Sequence, residues 1–164
     1  GSRRRPARPA ASLGLAALRV VALRAMRALE GFEPRLIGSV LTGHIRHGSD
    51  IDLHVFCDSA AVIEDLLEQE GFEARTEQKR ILKAGEERFF THVHVQAEHA
   101  IELTVYPSDK VNFPFRSSIT GKVIERADEA GVEPTRISFV NALSLIRMAW
   151  LMSATPPWAP GGRA

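Results

Sequence analysis

Ile37-Gly38-Ser39-Val40-Leu41-Thr42-Gly43-His44-Ile45-Arg46-His47-Gly48-Ser49-Asp50-Ile51-Asp52-Leu53 joins a short apolar run that stops at a glycine, a helical turn, and a second strand that carries two aspartates. Each piece has a physical job. A glycine directly after a strand lets the backbone turn sharply and approach a ligand closely. The free amides at the start of the following turn can bind phosphate oxygens, and Ser39 adds a hydroxyl to that cradle. Side chains on a strand point to alternate faces, so Asp50 and Asp52 are expected on one side, with backbone positions roughly 6.5 Å apart. Ile51, Leu53 and Val55 then face the other way, into a core.

The same parity applies further along. In Ile101-Glu102-Leu103-Thr104-Val105-Tyr106, the residues Ile101, Leu103 and Val105 make a core face and Glu102 falls opposite, which makes it the candidate third carboxylate. Three carboxylates gathered on one sheet face repel each other and raise their pKa values unless a cation sits among them. Magnesium fits that need. It takes hard oxygen ligands, commonly one or two carboxylates plus substrate phosphates, and two such ions about 3.5 to 4 Å apart can clamp an in-line phosphoryl displacement.

Around this stretch the chain reads as alternating helices and strands. Residues 1–9, basic and proline-containing, are expected to be a disordered arm. An amphipathic helix follows from Ala10 to about Leu29 and ends at Gly31. Arg35-Leu36-Ile37 is a short buried strand. Ser59 is the expected N-cap of a helix through about Gln69, closed by Gly71. Residues 72–106 alternate as three consecutive strands, with a hairpin tip at Lys83-Ala84-Gly85-Glu86 and a turn near Glu98-His99. Residues 107–134 form a loop-rich connection with one short helical turn around 125–130, and complete a core domain of residues 10–134. A C-terminal helix over 135–153, with an apolar face that suggests a homodimer or a partner protein, precedes a flexible tail over 154–164.

The Gly38-Ser39 turn followed by Asp50-Ile51-Asp52-Leu53 resembles the signature of the DNA polymerase beta-like nucleotidyltransferase superfamily, and Arg46 and Ser49 are similar to the fuller pattern of its small, minimal bacterial members. The motif spans residues 37–53, while the order strand, helix, strand, helix, strands fits residues 32–106. The resemblance implies an α/β (α+β) fold, a mixed β-sheet flanked by helices with a C-terminal helix. It also implies magnesium-dependent transfer of a nucleoside monophosphate from a nucleoside triphosphate to a hydroxyl acceptor, with release of pyrophosphate. By position, Gly38 and Ser39 would hold the β and γ phosphates, and Arg46 and Ser49 would stand on the phosphate side. Asp50 and Asp52 would hold the metals, and Glu102 the ion nearest the attacking hydroxyl, with a share in accepting its proton. The family's third acid is commonly aspartate, and Glu98 is the nearest alternative of the same parity.

Composition narrows the acceptor. The 164 residues are 45% hydrophobic and 25% charged, the balance of one globular domain. Basic and acidic residues number 21 and 20, giving a net charge of +1, so the footprint of a protein that coats long nucleic acid is missing. A small-molecule or protein acceptor is favoured. The competing readings are a non-catalytic nucleotide-binding module of the same fold, and an RNA-end nucleotidyltransferase that uses the arginines of the N-terminal segment. That segment also resembles an organellar transit peptide, although an ordinary helix after a basic arm is preferred. The single cysteine, Cys57, cannot form an intrachain disulfide, so a reducing cytoplasm is expected. No run of about 20 apolar residues suggests a membrane span.

Other groups are weaker candidates. His54, His92 and His94 share the face of the acids by parity and could line the substrate cleft, with His54 in contact with the carboxylates. Thr120-Gly121-Lys122 lacks the flanking residues of a phosphate-binding loop, because Arg116 and Val123 stand where Gly and Ser or Thr are needed. Lys110, Arg116 and Lys122 could still form a basic rim.

Overall fold

A computed structural model of the chain describes residues 9–83 and 85–132. The expected C-terminal helix over 135–153, the tail and most of the N-terminal arm lie outside those residues. Helix α1 runs Pro9–Ala28, strand β1 Arg35–Ile37, helix α2 Gly38–Thr42, strand β2 Ile51–Phe56 and helix α3 Ala60–Gln69. Strands β3 (Glu73–Lys83), β4 (Glu86–Gln96) and β5 (Ala100–Tyr106) follow.

The strands form one five-stranded sheet in the order β1-β2-β5-β4-β3. Only β2 and β5 run parallel, and the other neighbours are antiparallel, so the sheet is mixed as expected. Antiparallel β3 and β4 need only a tight turn, which Gly85 supplies at φ 80°. The parallel pair needs a long connection, and α3 with the β3–β4 hairpin provides it.

One face of the sheet makes the core. Leu36, Ile51, Leu53, Val55, Val93, Val95, Ile101 and Leu103 are buried there against Leu18, Val21, Ala25 and Met26 of α1, Leu29 just after it, and Ile63 and Leu67 of α3. In α1 the buried positions recur every three or four residues, as an amphipathic helix requires. Each fully buried Leu or Ile contributes about 1.5–3 kcal/mol over an exposed one. The helical face therefore fixes which sheet face is left for chemistry.

Two boundaries differ from the sequence reading, while Ser59 stands at the N-cap where it was expected. The left-handed position after α1 is Glu33, at φ 49°, and Gly31 lies within a 3₁₀ turn over Glu30–Phe32. Ser59 stands at the N-cap of α3 in extended conformation, without a side-chain hydrogen bond to the helix. The 3₁₀ turn late in the connection is Glu129–Gly131, and a second one occurs at Ser108–Lys110. The outer edge of β1 is partly covered, because Leu36 and Ala127 exchange both backbone hydrogen bonds at 2.8 and 3.0 Å. Among the described residues, no helix is long and apolar enough to cross a membrane.

Candidate functional site

The face opposite the core carries the acids. Asp52 lies on β2 and Glu102 on β5, and the two are direct partners in the parallel register. Asp50 sits one residue before β2 begins and is exposed, so it approaches from the loop rather than from the strand. Both of the others still act on Asp52. Burial first, then the negative charges of Glu102 and Asp50, push the Asp52 carboxyl up to about 6 from 3.8.

Gly38 is the backbone side of the same pocket. Ile37 pairs with Asp52 across β1 and β2, and the chain turns at Gly38 with φ 71°. A β carbon there would stand 2.7 Å from Asp52 Oδ2, closer than any side chain tolerates. Glycine is favoured by conformation, and a side chain there would also push the Asp52 carboxylate aside. Ser39 follows in α2, whose far end is held by Arg19 of α1. The Arg19 guanidinium donates to Val40 O at 3.0 Å and Leu41 O at 2.9 Å. Buried Val40 anchors the short helix to the core.

Next to Glu102, away from Asp52, β4 places His92 and His94. His92 Nδ1 is 2.7 Å from Glu102 Oε1, and His94 Nδ1 is 3.8 Å from Oε2. Burial lowers the His92 pKa, and the adjacent Glu102 carboxylate opposes that shift. Lys79, reaching in from β3, puts Nζ 3.5 Å from Glu102 Oε1. His94 also shares a 2.8 Å hydrogen bond with Glu77, an exposed carboxylate held below its ordinary pKa chiefly by that bond. Alternation in the sequence placed the histidines on this face, but the grip of Lys79 depends on its long reach across β4 and carried no local signal.

His54 departs from the expectation. It shares the face with Asp52, yet it is 2% exposed and packs edge-on against Tyr106 at 4.9 Å and Phe115 at 5.4 Å. Burial, with the nearby positive charge of Arg126, pushes it down to about 4. It is a neutral residue buried under an aromatic cover on the acids' face rather than a partner of the acids. Tyr106 and Phe115, stacked at 3.9 Å, close this end of the face, and Arg126 lies over Phe115. A connection read as loop-rich hides this cover, because its aromatic residues have no periodic pattern.

The remaining candidates separate. Glu98 lies in the β4–β5 turn and makes a two-pronged ion pair with Arg24 of α1 at 2.7 and 2.6 Å, so it is not the alternative third acid. Ser49 Oγ accepts the Arg46 backbone N–H at 2.8 Å, which closes the turn leading to Asp50, and the Arg46 side chain is exposed. In the expected basic rim, Arg116 donates to Gly121 O at 3.1 Å and Lys110 lies 5.3 Å from the centre of the Phe113 ring. A 750 Å³ groove bordered by Arg24, Arg27, Phe72 and Glu98 lies at the β4–β5 turn and includes none of the three acids.

The site therefore has a carboxylate pair beside a glycine cradle, and a third carboxylate surrounded by nitrogen. Among the described residues, no three His, Cys, Asp or Glu side chains converge as they would around a single ion. The pair alone suits magnesium, which completes its octahedron with phosphate oxygens and water. Asp52 lies close against Gly38, and burial first, then the charges of Glu102 and Asp50, raises its pKa, a strain that a bound cation would relieve.

No protein-family model and no curated protein matches the sequence. Among solved structures, the chain is similar to a cytoplasmic RNA terminal U-transferase, with 23% identity over 57% of this chain and 27% of that one, at a TM-score of 0.31. It is also similar to a chain of a GLD-2/RNP-8 complex, with 20% identity over 63% of this chain and 43% of that one, at a TM-score of 0.33. This chain thus spans less than half the length of either.

Proposed function

We propose that this chain is a magnesium-dependent nucleotidyltransferase domain, of the minimal kind that the Gly38-Ser39 and Asp50/Asp52 signature resembles. It would transfer a nucleoside monophosphate from a nucleoside triphosphate to the hydroxyl of a small molecule or protein. The observation that carries this reading is the triple juxtaposition of Gly38, Asp52 and Glu102. A glycine turn lies against a half-buried carboxylate, which is in register with a second on the adjacent strand.

In this reading the Gly38-Ser39 amides and the Ser39 hydroxyl receive the terminal phosphates, with Arg46 at the exposed edge of that loop. Asp50 and Asp52 hold the ion, which, when bound, neutralises charge on the phosphates. Glu102 stands on the acceptor side. The acceptor oxygen forms a bond to the α phosphorus, the bond to the bridging oxygen breaks, and pyrophosphate leaves with the electron pair. Glu102 accepts or directs the hydroxyl proton. Positioning and charge stabilisation supply most of the rate.

The described arginines of the N-terminal segment are engaged within the fold, while Arg3, Arg4, Arg5 and Arg8 lie outside the described residues. Arg24 is paired with Glu98 and Arg27 with Glu129, while Arg19 holds α2, so these cations serve the fold. The test is thermal stabilisation by each of the four ribonucleoside triphosphates, with and without magnesium, on wild type and on Asp50→Asn/Asp52→Asn, with pyrophosphate release followed in parallel. Metal-dependent stabilisation lost in the double variant, with pyrophosphate release, supports the enzyme. Stabilisation without turnover against any offered hydroxyl points to a nucleotide-binding module, and no stabilisation defeats the site.

A further inference from the structure

Asp52 and Glu102 are neighbours on the sheet, but their surroundings are opposite in sign. Around Asp52 the nearest groups that matter electrostatically are Glu102 and Asp50, both acids, and Gly38, which contributes no side chain. Around Glu102 stand the Lys79 ammonium at 3.5 Å and two imidazoles, with His92 Nδ1 at 2.7 Å and His94 Nδ1 at 3.8 Å. The Glu102 side chain is 27% exposed and the His92 side chain beside it only 11%, so His92 borders the carboxylate on its protected side, whereas Lys79, at 39%, approaches from the open side.

A hard divalent ion needs a carboxylate's oxygen lone pairs, together with several further oxygen ligands. At Glu102 Oε1 two nitrogens already occupy that space, one of them a permanent positive charge that would repel the incoming ion. Among the described residues, the charges that act on Asp52 are those of Glu102 and Asp50, both acids. Lys79 belongs to β3, the outermost strand, and crosses β4 to reach Glu102. Its placement puts a cation beside Glu102.

We propose that the site holds one divalent ion, at Asp50 and Asp52, and that Lys79 with His92 takes the place of a second ion at Glu102. Lys79 and His92 are then positioning residues that orient the Glu102 carboxylate toward the acceptor hydroxyl without any metal between them. This inference rests on the nucleotidyltransferase reading and narrows it, since the resemblance by itself places a second ion at the third acid.

The test counts ions. Manganese is titrated into the full chain in the presence of a triphosphate whose α,β bridge is methylene, and free manganese is read by electron paramagnetic resonance. The expected result is one ion per chain. Glu102→Gln should retain that ion within about threefold in affinity, whereas Asp52→Asn should weaken it by about tenfold or more. Lys79→Met/His92→Gln, with Glu102 kept, should admit a second ion. Two ions on the wild type, or loss of the single ion in Glu102→Gln, overturns the proposal while leaving the nucleotidyltransferase reading intact. No bound ion on the wild type defeats both. Circular dichroism on each variant separates lost binding from lost fold, and the wild-type count needs no variant at all.

Discussion

Gly38 and Asp52 face each other so closely that a single β carbon on the first would stand 2.7 Å from a carboxylate oxygen of the second. The backbone at Gly38, with φ 71°, adds a conformational objection to the steric one. Gly38→Ala is therefore expected to destabilise the fold by about 1–3 kcal/mol and to displace Asp52. Triphosphate affinity should fall more than thermal stability alone accounts for. Equal affinity in the variant, measured by calorimetry, would show that the turn does not shape the binding site.

Asp52 is a source of instability in the metal-free protein. Its folded pKa of about 6 exceeds the ordinary 3.8, so the folded state binds the proton more tightly and loses stability as pH rises through that window. Asp52→Asn should stabilise the metal-free chain at pH 7 by about 1–2 kcal/mol, after allowance for solvent screening. A lower melting temperature for the variant in chelator would contradict this.

His54 works in the opposite sense. Its pKa falls from 6.5 to about 4, so the unfolded chain binds the proton more readily and stability is lost as pH drops from about 6.5 to 4. The two slopes partly cancel between pH 6 and 4. His54→Phe should remove the acid-sensitive component, about 2–3 kcal/mol at full protonation, and leave the Asp52 slope exposed. Urea titrations at several pH values should then show stability rising on acidification from pH 6, where Asp52→Asn shows it falling.

Arg19 connects α1 to the far end of the short helix that begins at the glycine turn. Arg19→Met removes donors to two helix-end carbonyls and should cost about 1–2 kcal/mol. Because that helix starts at Gly38, triphosphate binding should weaken several-fold as well. Unchanged binding with reduced stability would confine Arg19 to a structural role.

Glu98 supplies a contrast. Its partner Arg24 is half exposed, so Glu98→Gln should change stability by less than about 1 kcal/mol and leave triphosphate and metal affinity unaltered. A loss of metal binding in that variant would reopen the assignment of the third acid.

Much of this arrangement was legible before any coordinates. Parity alone separated Ile51, Leu53 and Val55 from Asp52, and Leu103 from Glu102, and the sheet keeps both divisions. The pairing of β2 with β5 was not derivable from residue pattern, because apolar alternation says which face a strand buries and nothing about its neighbour. His54 obeyed its parity and still changed character, since an aromatic cover from a distant segment converted an open face into a closed one at that position. The alternative third acid, Glu98, failed on a turn that ended the alternation just where parity was being extended. Lys79 was invisible for a further reason: its influence comes from side-chain length, which no periodicity records.

The parallel register of Asp52 and Glu102 also has a meaning in time. The β3–β4 hairpin is local and can close early, whereas β2 and β5 meet only after the chain has traversed α3 and that whole hairpin. The mutual repulsion of the acids is thus deferred to one of the last pairings and cannot oppose earlier steps. A growing or refolding chain has secondary structure before it has a site, so recovery of ion binding should lag recovery of the circular dichroism signal.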